Sequence, residues 1–359
     1  MKVEYFNNKN KTNDAKLHEM RFYAQIAEKS GYTIAGIGSA YTMNGTDGVI
    51  YFGLVMLIFA SVQSQIISIG KFNLTNNSLK LSLLFRMLSF GVLSFGLYSG
   101  NFDVMLVGSA LSGLFVGLFW PAFYHLKSGT IGKWHMFEKI SGVVLTIATG
   151  VLVIYFDPLF VLIVSTIASS ISLWKAVKIE NKEEFSSIKS DYSQKGSPRE
   201  KAISILDGFN GESIRMIRRL AILSGAVTIM NFDGILSFAL VLGISEALGA
   251  ILKQYTNFKF LEFSIITTVG CLFCGIMFDY WIIGLILIGI GTAGIFPMVH
   301  EYVRSRVSSD DINFRERNRF NGRIVGAGFA SVVYVASISF TVVFGSVLVS
   351  TYLIWTMTR

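Results

Sequence analysis

Charged side chains are scarce in this chain. Asp, Glu, Lys and Arg make up 15% of its 359 residues, whereas 52% are hydrophobic and the mean hydropathy is +0.56. So little charge cannot cover the surface of a soluble protein of this length. Apolar runs of about 20 residues recur along the sequence, and each is long enough to cross the hydrocarbon core of a bilayer. The composition therefore predicts an all-α membrane protein.

Cysteine and histidine are also rare, which argues against an enzyme or a metal site. The two cysteines, Cys271 and Cys274, lie in an apolar run and lack histidine partners or a second cysteine pair. We interpret them as small lipid-buried residues rather than as a redox or metal site. Glycine-rich phosphate loops are missing as well, which argues against an ATP-driven pump. We therefore expect no enzymatic activity, no cofactor and no metal. The N-terminal arm lacks the apolar core of a signal peptide, so we do not expect it to be one.

Twelve apolar runs, most of them separated by turn residues, predict twelve transmembrane helices. The last two are the least clearly separated, because nothing polar breaks the chain near Ser337. The predicted spans are residues 31–44, 48–70, 81–100, 103–125, 137–155, 158–177, 218–232, 234–252, 260–278, 280–300, 320–336 and 338–357.

The basic residues predict an orientation for these spans. With residue 1 inside, all 31 Lys and Arg fall on one side of the membrane, and Arg86 is counted with the loop before the third span. The opposite turns carry only acids: Asp47, Asp103, Asp157, Asp233 and Asp279. This bias follows the positive-inside rule, and it explains the net charge of +8 without nucleic acid as a partner. We expect a multi-pass protein of the plasma (inner) membrane with both termini in the cytoplasm.

The two halves of the chain resemble each other at three places in the same order. Residues 43–50 match 230–236 with one residue dropped, 113–121 match 289–297, and 137–142 match 317–322. A repeat in the same orientation predicts two pseudo-symmetric six-helix bundles. The predicted domains are an N-terminal bundle with its arm (1–177), a cytoplasmic linker (178–217) and a C-terminal bundle (218–359).

The linker contains a helix-start signal. Ser197-Pro198-Arg199-Glu200 is a capping box with proline at the first helical position. We expect either a short amphipathic helix that ends at Asp207-Gly208 or a flexible linker.

The chain resembles the major facilitator superfamily (MFS). The resemblance rests on six plus six helices with a central loop, on Gly-Leu-Phe-Trp-Pro-Ala at 117–122, and on Gly142 and Gly322 near the starts of spans five and eleven. The loop at 70–80 departs from the family pattern because it has no acidic residue. The resemblance implies a secondary active transporter that moves a small organic solute between two rocking bundles in the lipid bilayer. The alternative is a non-transporting receptor, scaffold or lipid-handling protein that keeps this fold.

Ionisable and polar residues inside the predicted spans are candidates for a solute or coupling site. Glu246 is the clearest, because a carboxyl in lipid is costly and is suited to taking up and releasing a proton. It makes protons a candidate coupling ion, and a neutral Glu246 hydrogen-bonded to a neighbouring helix is the alternative. The other substrate or coupling candidates are Gln63, Gln65, Ser39, Tyr41 and Thr228, although helix packing alone also explains small and hydroxylated residues.

Six further residues are candidates for gating. They are Asp47, Asp233, Trp120, Tyr124, Glu301 and Arg304. The two aspartates are also suited to capping helix N-termini, and the two aromatics to anchoring at the membrane interface. The arginine-rich run 315–323 near Glu301 fits either an inner-gate ion pair or a solvated basic face.

Overall fold

The structure is a computed structural model that describes residues 16–28, 76–126, 158–179, 197–229, 259–275, 281–306, 312–336 and 341–358, together with isolated residues within 58–62, 141–156 and 244–256. Nearly all of these residues are helical. The helices are α1 (residues 16–28), α2 (Asn76–Ser99), α3 (Phe102–Leu126), α4 (Pro158–Val177), α5 (Pro198–Ile229), α6 (Phe260–Gly275), α7 (Trp281–Arg306), α8 (Ile312–Val335) and α9 (Thr341–Thr358).

Several helix boundaries confirm the predicted spans. α3 and α4 begin and end within one residue of the predicted spans 103–125 and 158–177. α8 ends at Val335, within one residue of the predicted end of the span 320–336, and the predicted break at Ser337 lies outside the described residues. Stretches of 23, 19 and 19 residues within α2, α3 and α4 are long and apolar enough to cross a membrane.

α5 begins as predicted but does not end as predicted. The Glu200 backbone N–H donates to Ser197 Oγ over 3.3 Å, and the Ser197 N–H donates to Glu200 Oε2 over 3.0 Å, which is a capping box. The helix then runs for 32 residues, to Ile229, without a break at Asp207-Gly208. Both the short helix and the flexible linker are therefore wrong for 198–217. Gly208 is buried against α8, and tertiary packing overrides its weak helix propensity.

Most contacts between the described helices stay within one half of the chain. α2 packs against α3 and α4, whereas α5 packs against α7, α8 and α9, and α6 packs against α7 and α9. α3 and α8 touch across the halves. Buried phenylalanines on α2 and α3, among them Phe90, Phe115 and Phe119, belong to a hydrophobic core that also includes Ala327 and Val343 of the second half.

Candidate functional site

Two ion pairs join α5 to α8 inside the second half. Arg319 Nε lies 3.0 Å from Asp207 Oδ2, and Arg323 Nε lies 4.0 Å from Glu212 Oε2. The carboxylates are 7% and 4% exposed, so they are largely removed from water. A buried carboxylate is tolerated only when it is paired, so each arginine matters to the stability of its partner. We call these four residues the α5–α8 ion-pair cluster.

Glycines bring the two helix backbones unusually close beside this cluster. A Cβ on Gly208 would lie 1.9 Å from the backbone oxygen of Arg319, and one on Gly322 would lie 2.0 Å from that of Ile205. A Cβ on Gly326 would lie 2.6 Å from the Phe209 oxygen. Only glycine fits at such contacts, and small residues let helices approach in this way. Gly322 is also one of the glycines that carry the MFS resemblance.

A hydrogen-bonded group attaches α9 to the same region of α5. Asn210 Nδ2 donates to Thr351 Oγ1 over 3.3 Å, and Ser350 Oγ donates to Asn210 Oδ1. All three side chains are buried. Ion pairs and amide–hydroxyl bonds together therefore hold α5, α8 and α9 as one packed unit.

The first half has a corresponding polar cluster around Arg21 of α1. Arg21 is 6% exposed, and its Nη1 donates to Glu28 Oε2 over 3.1 Å. Its guanidinium carbon lies 4.6 Å from the centroid of the Trp120 ring, which is a cation–π distance. Ser141 Oγ donates to Gln25 Oε1 over 3.3 Å. We call Arg21, Gln25, Glu28, Trp120 and Ser141 the α1 cluster.

The two clusters occupy related places in the internal repeat. In the register that sets Met43 against Met230, Gln25 of the α1 cluster falls against Glu212 of the α5–α8 cluster. Their partners, Ser141 and Arg323, lie next to the matched glycines Gly142 and Gly322. α1 also contacts α4 much as α5 contacts α9, because Ser172 Oγ donates to the Met20 oxygen over 3.0 Å. One polar contact of each cluster, Gln25–Ser141 in the first half and Glu212–Arg323 in the second, therefore falls near matched positions of the sequence repeat.

Arg86 is a second buried arginine besides Arg21, and the sequence did not indicate its depth. It lies in the middle of α2, inside an apolar stretch, and it is fully buried. Its guanidinium carbon lies 4.6 Å from the Phe90 centroid and 4.4 Å from that of Phe115. The assignment of Arg86 to the loop before this helix is therefore wrong. Two aromatic faces offset part of the cost of burying the charge.

The structure describes few of the predicted site residues. Trp120 is half-buried, and its ring contacts Arg21. Thr228, Tyr124, Glu301 and Arg304 lie in α5, α3, α7 and α7, but their side chains are outside the described part of the chain. The remaining candidates also lie outside the described residues: Glu246, Gln63, Gln65, Ser39, Tyr41, Asp47 and Asp233.

The arginine-rich run divides between two environments. Arg319 and Arg323 belong to the α5–α8 ion-pair cluster, so the solvated basic face is wrong for these two residues. Arg317 on the same helix is exposed, as that interpretation expects. The partners Asp207 and Glu212 were missed because they lie more than 100 residues away in sequence. The sequence did carry one indication of buried acids, because Asp207 and Glu212 lie among apolar residues in a helical segment.

We expect Arg21 and Trp120 to be energetically coupled. In a double-mutant cycle of Arg21→Met and Trp120→Leu, the coupling should be about 0.5–2 kcal/mol, because the stacked guanidinium is largely desolvated. Unfolding by SDS titration in mixed micelles measures it. The control cycle pairs Arg21→Met with Trp355→Leu on α9, and these two effects should add. Additive effects for Arg21 and Trp120 would mean that their contact contributes nothing.

Solved structures resemble the chain over nearly its whole length. A mutant form of the nucleoside transporter NupG matches at 12% identity over 97% of this chain and 100% of that chain, with a TM-score of 0.65. The D-xylose-proton symporter matches at 11% over 96% and 97%, with a TM-score of 0.68. FucP, an MFS transporter in the outward conformation, matches at 13% over 98% and 99%, with a TM-score of 0.64. No protein-family model and no curated protein matches the chain.

The chain therefore has the fold of MFS transporters. Together with its apolar helices, this fold defines a multi-pass α-helical membrane protein. At these identities the likeness is one of fold.

Proposed function

We propose that this chain is a secondary active transporter of the MFS that moves a small organic solute across the membrane by alternating access. The observation that carries the proposal is the match to transporter structures over at least 96% of this chain and of theirs. Their names give nucleosides, xylose and fucose as substrates, so small polar metabolites are the first solutes to test.

Alternating access in this fold requires two bundles that move as units. The contacts of the described helices support this arrangement, because they fall mainly within each half. The α1 cluster and the α5–α8 ion-pair cluster lie within single halves and would keep each bundle rigid. We propose that twelve helices form two such bundles. We also propose that the protein lies in the plasma (inner) membrane with both termini in the cytoplasm.

The proposed solute path uses the candidates inside the predicted spans. Gln63, Gln65, Ser39, Tyr41 and Thr228 would line a hydrated cavity. Glu246 would take up a proton on one side of the membrane and release it on the other, since the ionised carboxyl is costly in lipid. We propose that six further residues gate the two ends of this path: Asp47, Asp233, Trp120, Tyr124, Glu301 and Arg304.

Replacing Glu246 by glutamine should abolish proton-driven uptake. The first step is a thermal-stability screen of the purified wild type against sugars and nucleosides, where a substrate raises the melting temperature by mass action. The compound found is then assayed in proteoliposomes with and without an imposed pH gradient. We expect the gradient to raise accumulation at least about tenfold in the wild type and not at all in Glu246→Gln, where about 1.4 kcal/mol of driving force corresponds to each factor of ten.

The matched control is Glu262→Gln. Glu262 Oε2 accepts the Lys259 N–H at the start of α6, which is a cap rather than a transport role. This variant should accumulate solute like the wild type. If uptake changes neither with the pH gradient nor with Glu246→Gln, proton coupling is refuted and facilitated transport without a coupling ion remains.

A non-transporting protein with this fold is the second candidate. The segment 70–80, predicted as a loop, favours it, because that segment lacks the acidic residue of the family pattern. Compounds that raise the melting temperature but never cross the proteoliposome membrane would support a receptor or lipid-handling role over transport.

A further inference from the structure

One face of α4 carries five exposed apolar side chains between residues 160 and 177. The exposed residues recur every three, four or seven positions, so they form one stripe on the helix. This α4 stripe consists of Phe160, Ile163, Ile167, Trp174 and Val177, which are 45–58% exposed. A helix of 20 residues is about 30 Å long, so the stripe reaches across the thickness of a hydrocarbon core.

The opposite face of α4 fixes the direction of this stripe. Ser165, Ser169 and Ser172 on that face are fully buried. The first two hydroxyls donate to carbonyls one turn earlier, and Ser172 Oγ donates to Met20 of α1 over 3.0 Å. Small residues let α4 pack closely against α1 and α2. The α4 stripe therefore points away from the helices that α4 packs on, towards the bilayer.

The C-terminal end of the stripe carries two lysines around a tryptophan. Lys178 Nζ lies 3.4 Å from the Trp174 ring centroid, and Lys175 Nζ lies 5.3 Å from it. Lys175 is also paired with Glu19 Oε1 over 2.5 Å. The chain tightens after the helix, where the Lys178 N–H donates to the Lys175 oxygen and the buried Ile179 follows. This turn places Lys178 at the end of the helix beside the Trp174 ring.

We propose that the α4 stripe and Lys178 form a binding site for an anionic phospholipid. One acyl chain would lie along the apolar stripe, and the headgroup phosphate would bind the Lys178 ammonium. The ammonium has three N–H donors. One side of it faces the Trp174 ring, and the N–H donors on the other side can bind a phosphate. Tryptophan is favoured at the level of the headgroups, and lysines there attract lipids with a net negative charge.

The shape and charge of the surface favour a lipid over a protein partner. The stripe is one residue wide and apolar up to the point where the lysines begin. A stable protein interface needs a broad patch, of the order of 800 Å² on each partner. The acyl chain of a zwitterionic lipid would fill the stripe equally well, but its headgroup would gain little from Lys178. The net charge of the headgroup should therefore determine which lipid binds more tightly.

Native mass spectrometry of the purified full chain tests the proposal. The protein is mixed with equal amounts of dioleoylphosphatidylglycerol and dioleoylphosphatidylcholine, and the lipids retained are counted. We expect the wild type to prefer the glycerol lipid, and Lys178→Gln to bind it about fivefold more weakly, as one interfacial lysine implies. Trp174→Leu keeps an apolar side chain but loses the ring, and it should weaken the same preference.

The matched control is Lys201→Gln, an exposed lysine of α5 outside the stripe. It should keep the wild-type preference. Equal losses in Lys178→Gln and Lys201→Gln would overturn the site, because net charge alone would then explain binding. The proposal also fails if Lys178→Gln retains the preference. A melting-temperature rise with glycerol 3-phosphate as large as that with the lipid would replace the lipid by a free phosphate ligand.

Discussion

Gly322→Ala should be among the most destabilising single-methyl additions in this protein. The new Cβ would lie 2.0 Å from the backbone oxygen of Ile205, which is part of α5 and cannot rotate away like a side chain. α5 and α8 would have to separate, and the α5–α8 ion pairs would lengthen with them. Overpacking of this kind costs about 1–3 kcal/mol, and we expect the upper end or more because backbone atoms are involved.

Two other helical glycines serve as controls for Gly322→Ala. A Cβ on Gly91 of α2 or on Gly345 of α9 meets nothing within 4 Å. Alanine has the higher helix propensity, so Gly91→Ala and Gly345→Ala should be neutral or stabilising by up to about 1 kcal/mol. Thermal unfolding of the detergent-solubilised variants measures the difference. If Gly322→Ala melts at the same temperature as Gly91→Ala, the close backbone contact does not exist.

Arg319→Met should destabilise the protein strongly, and a second substitution should restore much of the loss. The single change leaves the buried Asp207 carboxylate without the arginine that lies 3.0 Å from it. Breaking one side of a buried pair costs about 3–5 kcal/mol, whereas replacing both sides by apolar residues is often nearly neutral. We therefore expect Asp207→Leu with Arg319→Met to be more stable than Arg319→Met alone.

The control for charge is Arg317→Met on the same helix. Arg317 is exposed, and a surface change of this kind usually alters the free energy of unfolding by no more than about 0.5 kcal/mol. SDS titration in mixed micelles gives the free energies of unfolding for the wild type, Arg319→Met, Asp207→Leu, the double variant and Arg317→Met. A double variant that loses as much as the sum of its two single changes would show that Asp207 and Arg319 do not interact.

If both results hold, α5 and α8 behave as one rigid pair in the second half. That outcome matters for the proposed transport cycle. Rocking of two bundles needs helices that keep their contacts within a bundle while the contacts between bundles change. A destabilised α5–α8 pair should then reduce transport without any change at the solute path.

Local sequence patterns determined several of the described helices, and for α3 and α4 also where they begin and end, whereas α1 lies in the arm before the first predicted span. The apolar run of α4 fixed both of its boundaries, because a bilayer-length hydrophobic segment admits few other structures. The capping box fixed the start of α5, since its two hydrogen bonds join residues only three positions apart. The predicted six-plus-six helices, the run at 117–122 and two glycines gave the family resemblance, and solved MFS transporters share the fold of the chain.

Only the tertiary structure decided which residues meet. Asp207-Gly208 is a turn signal by local rules, yet α5 continues through it because Gly208 packs against the α8 backbone. Arg86, Arg319 and Arg323 belong to the basic side of the membrane by charge counting, yet each is held by aromatic rings or carboxylates on another turn or helix. Hydropathy reports the average polarity of a segment. The partner of a buried charge is set by helix packing between residues far apart in sequence, and a local pattern carries no record of it.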